Sequence, residues 1–187
     1  MHTRELTDVA YVFVDEGLVV LRATAEGSTR RTITCHAGSG ALLLPPNGGE
    51  VLVALTNVQL IPLTADVRDR LLESPKAAGL LLDALTETLR QKHLALAAMS
   101  HLHHVDRVRE KLIQLARAHG RVGRNGIKLD FPLTHDLLGE MTGSARETVT
   151  RALDELQREG FVVRHGRTYS VHVAPDALAV TPVTMRR

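Results

Sequence analysis

From Pro75 to Gly120 the chain has no further proline and a single internal glycine, Gly79. Such a stretch can be helical throughout, and Pro75 suits a first helical turn, where its missing N–H costs nothing. Within it Leu82, Leu85, Leu89, Lys92, Leu96, Met99 and His103 recur at alternating spacings of three and four. That is an a/d seam with a polar break at Lys92. A plain reading packs this helix on its own domain. The sharper one pairs it with its twin across a dimer axis through Leu82, Leu85, Leu89, Leu96 and Met99. About 28 residues at about 1.5 Å each span about 42 Å, longer than a small domain is wide, which favours pairing. A helix of this length partitions the chain, and the expected organisation is residues 1–65, 66–104 and 105–187.

The flanks have different periodicities. Val9–Val14 and Gly17–Leu21 are short apolar runs split by Asp15-Glu16-Gly17, and Arg31–Cys35 alternates. Val51–Leu55 and Val58–Ile61 are bounded by Gly48-Gly49, Asn57 and Pro62. Short strands with this punctuation predict an antiparallel sandwich or roll, so the fold class is α+β. With 44% hydrophobic residues and five aromatics (Tyr11, Phe13, Phe131, Phe161, Tyr169), the core must be aliphatic. The net charge of +2 is uneven: residues 1–100 carry 9 Lys/Arg against 11 Asp/Glu, and the remainder is basic. That skew is compatible with a nucleic-acid partner and is weak evidence alone.

Residues 105–187 read as a compact mixed unit. Val105, Val108, Leu112, Leu115 and Ala116 mark an amphipathic helix ending at Gly120. Asn125-Gly126 signals a tight turn into the strand Ile127–Phe131. Thr134 is a good N-cap for a short helix with Leu137, Leu138 and Met141 inward. Met141-Thr142-Gly143 then reads as a turn, and Ser144 with Glu147 as a capping box opening a second helix that stops at Gly160. Its inward face is Val149, Ala152, Leu153 and Leu156. Helix, short glycine turn and capped helix make the helix-turn-helix pattern.

Arg146, Glu147, Thr150 and Arg151 project together from the start of that second helix. Arginine grips guanine O6 and N7 with paired hydrogen bonds, and a carboxylate accepts from cytosine N4. These four are therefore the candidate base readers, with Ser144, Thr148 and Thr134 suited to phosphate oxygens. The bland alternative makes Glu147 only a cap and the arginines only a solvated face. Phe161–Arg164, a turn at His165-Gly166, and Arg167–Val173 predict a hairpin wing. Arg164 and Arg167 at its tip either touch phosphate or keep an edge hairpin soluble.

The stretch from Leu133 to Gly160, with its Arg146-Glu147-Thr148-Val149-Thr150-Arg151 core, closely resembles the DNA-binding segment of the cyclic-AMP receptor protein/fumarate–nitrate regulator (Crp/Fnr) superfamily of bacterial transcription factors. Tyr11–Val19 resembles that family's mid-roll strand pair, and residues 75–104 its dimerisation helix. The resemblance implies a homodimer with a β-roll like that of cyclic-nucleotide-binding domains, a long central helix and a winged helix-turn-helix. It implies base reading by Arg146, Glu147 and Arg151 on a palindromic operator, and activation by contact with RNA polymerase.

The departures fall in the roll. Only ten residues precede Tyr11, so a truncated roll is expected. The Gly-Glu and Arg-Ser/Thr pairs that hold a cyclic nucleotide are missing from Gly38–Gly49, and no Lys or Arg occurs from Thr32 to Val67. A buried phosphate needs a cation or several amide donors to offset its desolvation. The expectation is a regulator that works without cyclic nucleotide and without cofactor. Cys35 is the single cysteine, which excludes a disulfide or an iron–sulfur cluster within one chain. The alternative is a regulator gated by an unidentified ligand, by metal or haem, or by pH at the hinge holding His101, His103 and His104. No phosphate-binding loop, nucleophile elbow or metal framework points to an enzyme. The lack of an apolar leader at Met1–Glu5 and of an apolar span of membrane length predicts a cytoplasmic protein without membrane contact.

Overall fold

A computed structural model of the chain describes residues 8–24, 26–99, 103–123 and 126–173. It divides into two compact units, Met1–Ser100 and His101–Arg187.

In the first unit, β-branched runs form β1 (Val9–Glu16), β2 (Leu18–Thr24), β3 (Arg31–Gly38), β4 (Leu42–Leu43), β5 (Glu50–Ala54) and β6 (Gln59–Thr64). They make two antiparallel three-stranded sheets, ordered β4–β1–β6 and β3–β2–β5. Alternate residues turn inward, so Val12 and Val14 of β1 meet Val19 and Leu21 of β2, Cys35 and Ala37 of β3, and Leu43 in one apolar cluster. β1 and β2 are consecutive yet lie in different sheets, which corrects their reading as a strand pair. The corner is Gly17, at φ +89°, where a Cβ would sit 2.1 Å from the Asn57 carbonyl oxygen. No other residue lets the chain pass from one sheet to the next there.

The segment 66–104 is not one helix. α1 (Ala65–Leu72) ends before Glu73 and Ser74, and α2 is Pro75–Met99, 25 residues or about 37 Å. Proline both starts α2 and disfavours helical geometry in the residue before it, so it separates the two. α2 packs against β3 and β4 of its own unit. On that face Ala95 is buried and the Thr88 hydroxyl donates to the Leu42 carbonyl at 2.8 Å. The adjoining flank, about 100° round the helix, leaves Leu82, Leu89 and Leu96 64%, 69% and 68% exposed, one heptad apart, with Leu85 half-buried at the margin. The Met99 side chain and His101 lie outside the described residues.

In the second unit α3 (His104–His119) is followed by β7 (Arg121–Gly123), β8 (Gly126–Leu129), α4 (His135–Thr142), α5 (Arg146–Arg158), β9 (Val162–His165) and β10 (Thr168–Val171). The strands form one antiparallel sheet in the order β7–β8–β10–β9. β7 was not expected, and Asn125 of the anticipated turn lies outside the described residues. The three helices pack on one another around Leu112, Leu115, Leu138, Met141, Val149, Leu153 and Leu156, with Leu129, Leu133 and Tyr169 closing the core. Each large aliphatic side chain removed from water there contributes roughly 1.5–3 kcal/mol before entropy is counted.

Candidate nucleic-acid interface

Thr134 caps α4, its hydroxyl accepting from the Leu137 amide at 3.1 Å. The helix ends on Gly143 in the left-handed conformation, φ 64° and ψ 26°. Met141 and Thr142 are thus still helical, and the turn is Gly143-Ser144-Ala145, two residues later than the sequence indicates. Gly139 permits this, because a Cβ there would lie 2.7 Å from the Ser144 carbonyl oxygen.

The expected capping box does not form. Ala145 is the N-cap of α5 and contributes no side-chain bond. Ser144 stands one residue too early to reach the helix amides. Its Oγ lies 3.5 Å from the Thr142 carbonyl and 3.2 Å from His104 Nδ1 instead. Glu147 remains in the first turn of α5, where a carboxylate favours the positive end of the helix dipole.

Arg146, Glu147 and Arg151 are exposed along one side of α5, while Val149, Ala152, Leu153 and Leu156 are buried on the other. Arg146 Nε approaches Asp136 Oδ2 only to 3.9 Å, and both side chains are about two-thirds exposed, at 65% and 64%. So loose a surface pair is worth little and leaves the guanidinium able to engage another group. Thr148 is half-buried and Thr134 exposed. Thr150 differs from its neighbours: it is half-buried, its hydroxyl donates to the Arg146 carbonyl at 3.0 Å, and its Oγ1 lies 2.8 Å from His135 Nδ1. His135 went unrecognised in the sequence, because it lies on α4 and nothing in either helix alone brings it to Thr150. Burial, then the Arg164 and Arg146 guanidiniums, hold the His135 pKa below its ordinary value.

The wing is the β9–β10 hairpin. Thr168 pairs with His165, so the turn is Gly166-Arg167 rather than His165-Gly166, with Gly166 at φ +66°. Arg164 and Arg167 are both exposed. Arg164 Nε donates to the Gly166 carbonyl at 2.8 Å, and the Arg167 carbonyl accepts from the Leu133 amide at 2.8 Å, tying the wing to the entrance of α4. On α3, Arg109 pairs with Glu159 at 2.6 Å and stacks 4.9 Å from the Phe161 ring centre, which pins the end of α5. His104, exposed at the start of α3, touches both Arg107 and Ser144. Among the described residues no group of three or more His, Cys, Asp or Glu is placed to hold a metal ion, and no helix is long and apolar enough to cross a membrane.

A helix-turn-helix whose second helix exposes two arginines and a glutamate, flanked by a wing and accompanied by a β-roll unit, defines a class of protein. Residues 106–180 match the Crp-like helix-turn-helix domain. The global nitrogen regulator of Synechococcus elongatus is 30% identical over 120 residues, 64% of this chain and 54% of that protein. Its counterpart in a Nostoc species is 30% identical over 136 residues, 72% of this chain and 57% of that protein. The chain therefore spans little more than half the length of these curated relatives. A CRP-family transcriptional regulator from Thermus thermophilus shares the fold, with a TM-score of 0.73 and 21% identity over 95% of this chain and 89% of that one. Residues 106–180 thus carry a Crp-like helix-turn-helix domain, and the chain as a whole resembles regulators of the Crp/Fnr superfamily.

Proposed function

We propose that this protein is a homodimeric, sequence-specific DNA-binding transcriptional regulator, an activator rather than an enzyme, that reads a palindromic operator without cyclic nucleotide. The observation that carries the reading is the exposed N-terminal side of α5, where Arg146, Glu147 and Arg151 stand clear of the core beneath a capped α4 and a basic wing. Arg146 and Arg151 supply paired donors to guanine, and Glu147 an acceptor to cytosine. Thr134, Ser144, Thr148, Arg164 and Arg167 surround them as phosphate contacts that set position without reading sequence.

In this reading residues 105–187 are the DNA-binding domain, residues 66–104 hold the dimerisation helix, and residues 1–65 are a sensor-like roll. The leucine stripe of α2 (Leu82, Leu85, Leu89, Leu96, continued by Met99) faces its twin, and the two-fold axis sets half-sites about 34 Å apart on one side of the duplex. Two features support independence from cyclic nucleotide. The space between the sheets is filled by Val12, Val14, Val19, Leu21, Cys35, Ala37 and Leu43, and no cation occurs from Thr32 to Val67. The protein acts in the cytoplasm, with double-stranded DNA and RNA polymerase as its partners.

A second reading has the same regulator gated at the His101–His104 hinge. The contact of His104 with Ser144 and Arg107, beside the turn of the helix-turn-helix, favours it. A gel shift on a selected operator at pH 6 and pH 8, with wild type and Arg146→Ala, tests both. The main reading predicts equal binding at the two pH values and a loss of about 1–3 kcal/mol in the variant, with relaxed preference at one base pair per half-site. Unchanged affinity in Arg146→Ala contradicts base reading by α5, and affinity that swings with pH favours the gated form.

A further inference from the structure

Thr150 lies on the side of α5 assigned to the groove, one helical turn beyond Arg146. Its hydroxyl has a single proton, and that proton is donated to the Arg146 carbonyl. His135 Nδ1, 2.8 Å from the same oxygen, must then be a donor. The surroundings of His135 agree with a neutral ring protonated at Nδ1. Nε2 is buried with no hydrogen-bond partner among the described residues. The charged groups acting on the ring are Arg164 on β9, Arg146 and Asp154 on α5, and Asp136 on α4. Burial and the two arginines outweigh the two carboxylates, so the ring stays neutral at pH 7.

The hydroxyl is thus anchored twice, to α5's own backbone and to α4. It has no proton left for the acceptors that guanine, adenine N7 or thymine O4 present in the major groove, and its one free lone pair meets a donor only at adenine N6 or cytosine N4. The remaining group on Cβ is the γ-methyl. Methyl contact with a base edge discriminates in one way, by packing on the C5-methyl of thymine.

We infer that Thr150 reads a thymine through its γ-methyl, and that His135 is the positioning residue that fixes the Thr150 rotamer for this contact. The inference rests on the DNA-reading role proposed above. It assigns an apolar contact to that candidate base reader, and it brings a residue of α4 into the specificity of α5.

The test uses the full chain and an operator selected from random DNA. Each thymine is replaced in turn by deoxyuridine, which removes only the C5-methyl. Wild type should lose about fourfold in affinity at one thymine of each half-site, the worth of one methyl removed from water. Thr150→Ser, which keeps the anchored hydroxyl and lacks the γ-methyl, should lose the discrimination while still binding. His135→Asn, which preserves an N–H donor near the Nδ1 position, should behave as wild type. His135→Ala should flatten the thymine-to-deoxyuridine ratio, whereas a merely structural role would lower affinity for both DNAs equally. Indifference of wild type to every replacement, or full discrimination in Thr150→Ser, overturns the inference and leaves DNA reading intact. Failure to select any operator overturns DNA reading, and this inference with it.

Discussion

His119 closes α3 with its ring edge-on to Phe131, centroids 6.4 Å apart and planes at 82°. Burial holds its pKa at about 4, against 6.5 for a free imidazole. The unfolded chain therefore takes up this proton first on acidification. The stability contributed by neutral His119 is complete above about pH 6.5 and is lost as pH falls toward 4. Between pH 7 and pH 5 the loss should be about 2 kcal/mol. Urea unfolding of the full chain, followed by amide exchange at Leu115 and Leu153, measures it. His119→Phe should remove most of that pH dependence, and an unchanged slope in the variant would contradict the assignment. Single residues divide sharply in how legible they are from sequence. The exposure of Arg146, Glu147 and Arg151 follows from helical spacing against a strong apolar stripe, so it can be read from one segment. The bonds of Thr150 to His135 and of Ser144 to His104 join different helices, and no local pattern encodes them.

At the scale of elements, strongly periodic segments were readable and their joints were not. α3 and α5 lie where the apolar period places them, with their predicted inward faces buried except for half-buried Val105. The boundaries moved wherever backbone geometry overrode side-chain pattern. Gly143 in the left-handed region and the close approach at Gly139 shifted the turn by two residues and removed the capping box. Pro75 split the long helical stretch, and Gly17 sent β2 into the second sheet. α2 also shows why two readings of one helix need not compete. Its period supplies a face for its own sheet and, on the adjoining flank, a leucine stripe. Leu89→Lys tests that stripe. At 69% exposure the substitution should alter protomer stability by no more than about 0.5 kcal/mol, while sedimentation at micromolar concentration should show the dimer mass proposed for the wild type and half that mass for the variant. Retention of the dimer mass would contradict the assigned seam.

At the scale of the whole molecule, the uneven charge acquires a purpose. The chain's net charge is +2 with its basic excess beyond residue 100, and the proposed dimer presents that excess twice, on two symmetric reading heads. Phosphate contacts from such heads bring salt-dependent affinity, and the two-fold axis turns a short half-site into a full operator. In the proposed reading the roll, with an aliphatic interior and no Lys or Arg from Thr32 to Val67, serves as a scaffold for α2 rather than as a cyclic-nucleotide switch. Selection of the full chain against random double-stranded DNA, with no small molecule added, tests this account most directly. The predicted result is an enriched two-fold palindrome with guanine-containing half-sites one helical turn apart. Absence of any enriched site, or enrichment that appears only when a cyclic nucleotide is supplied, would contradict it.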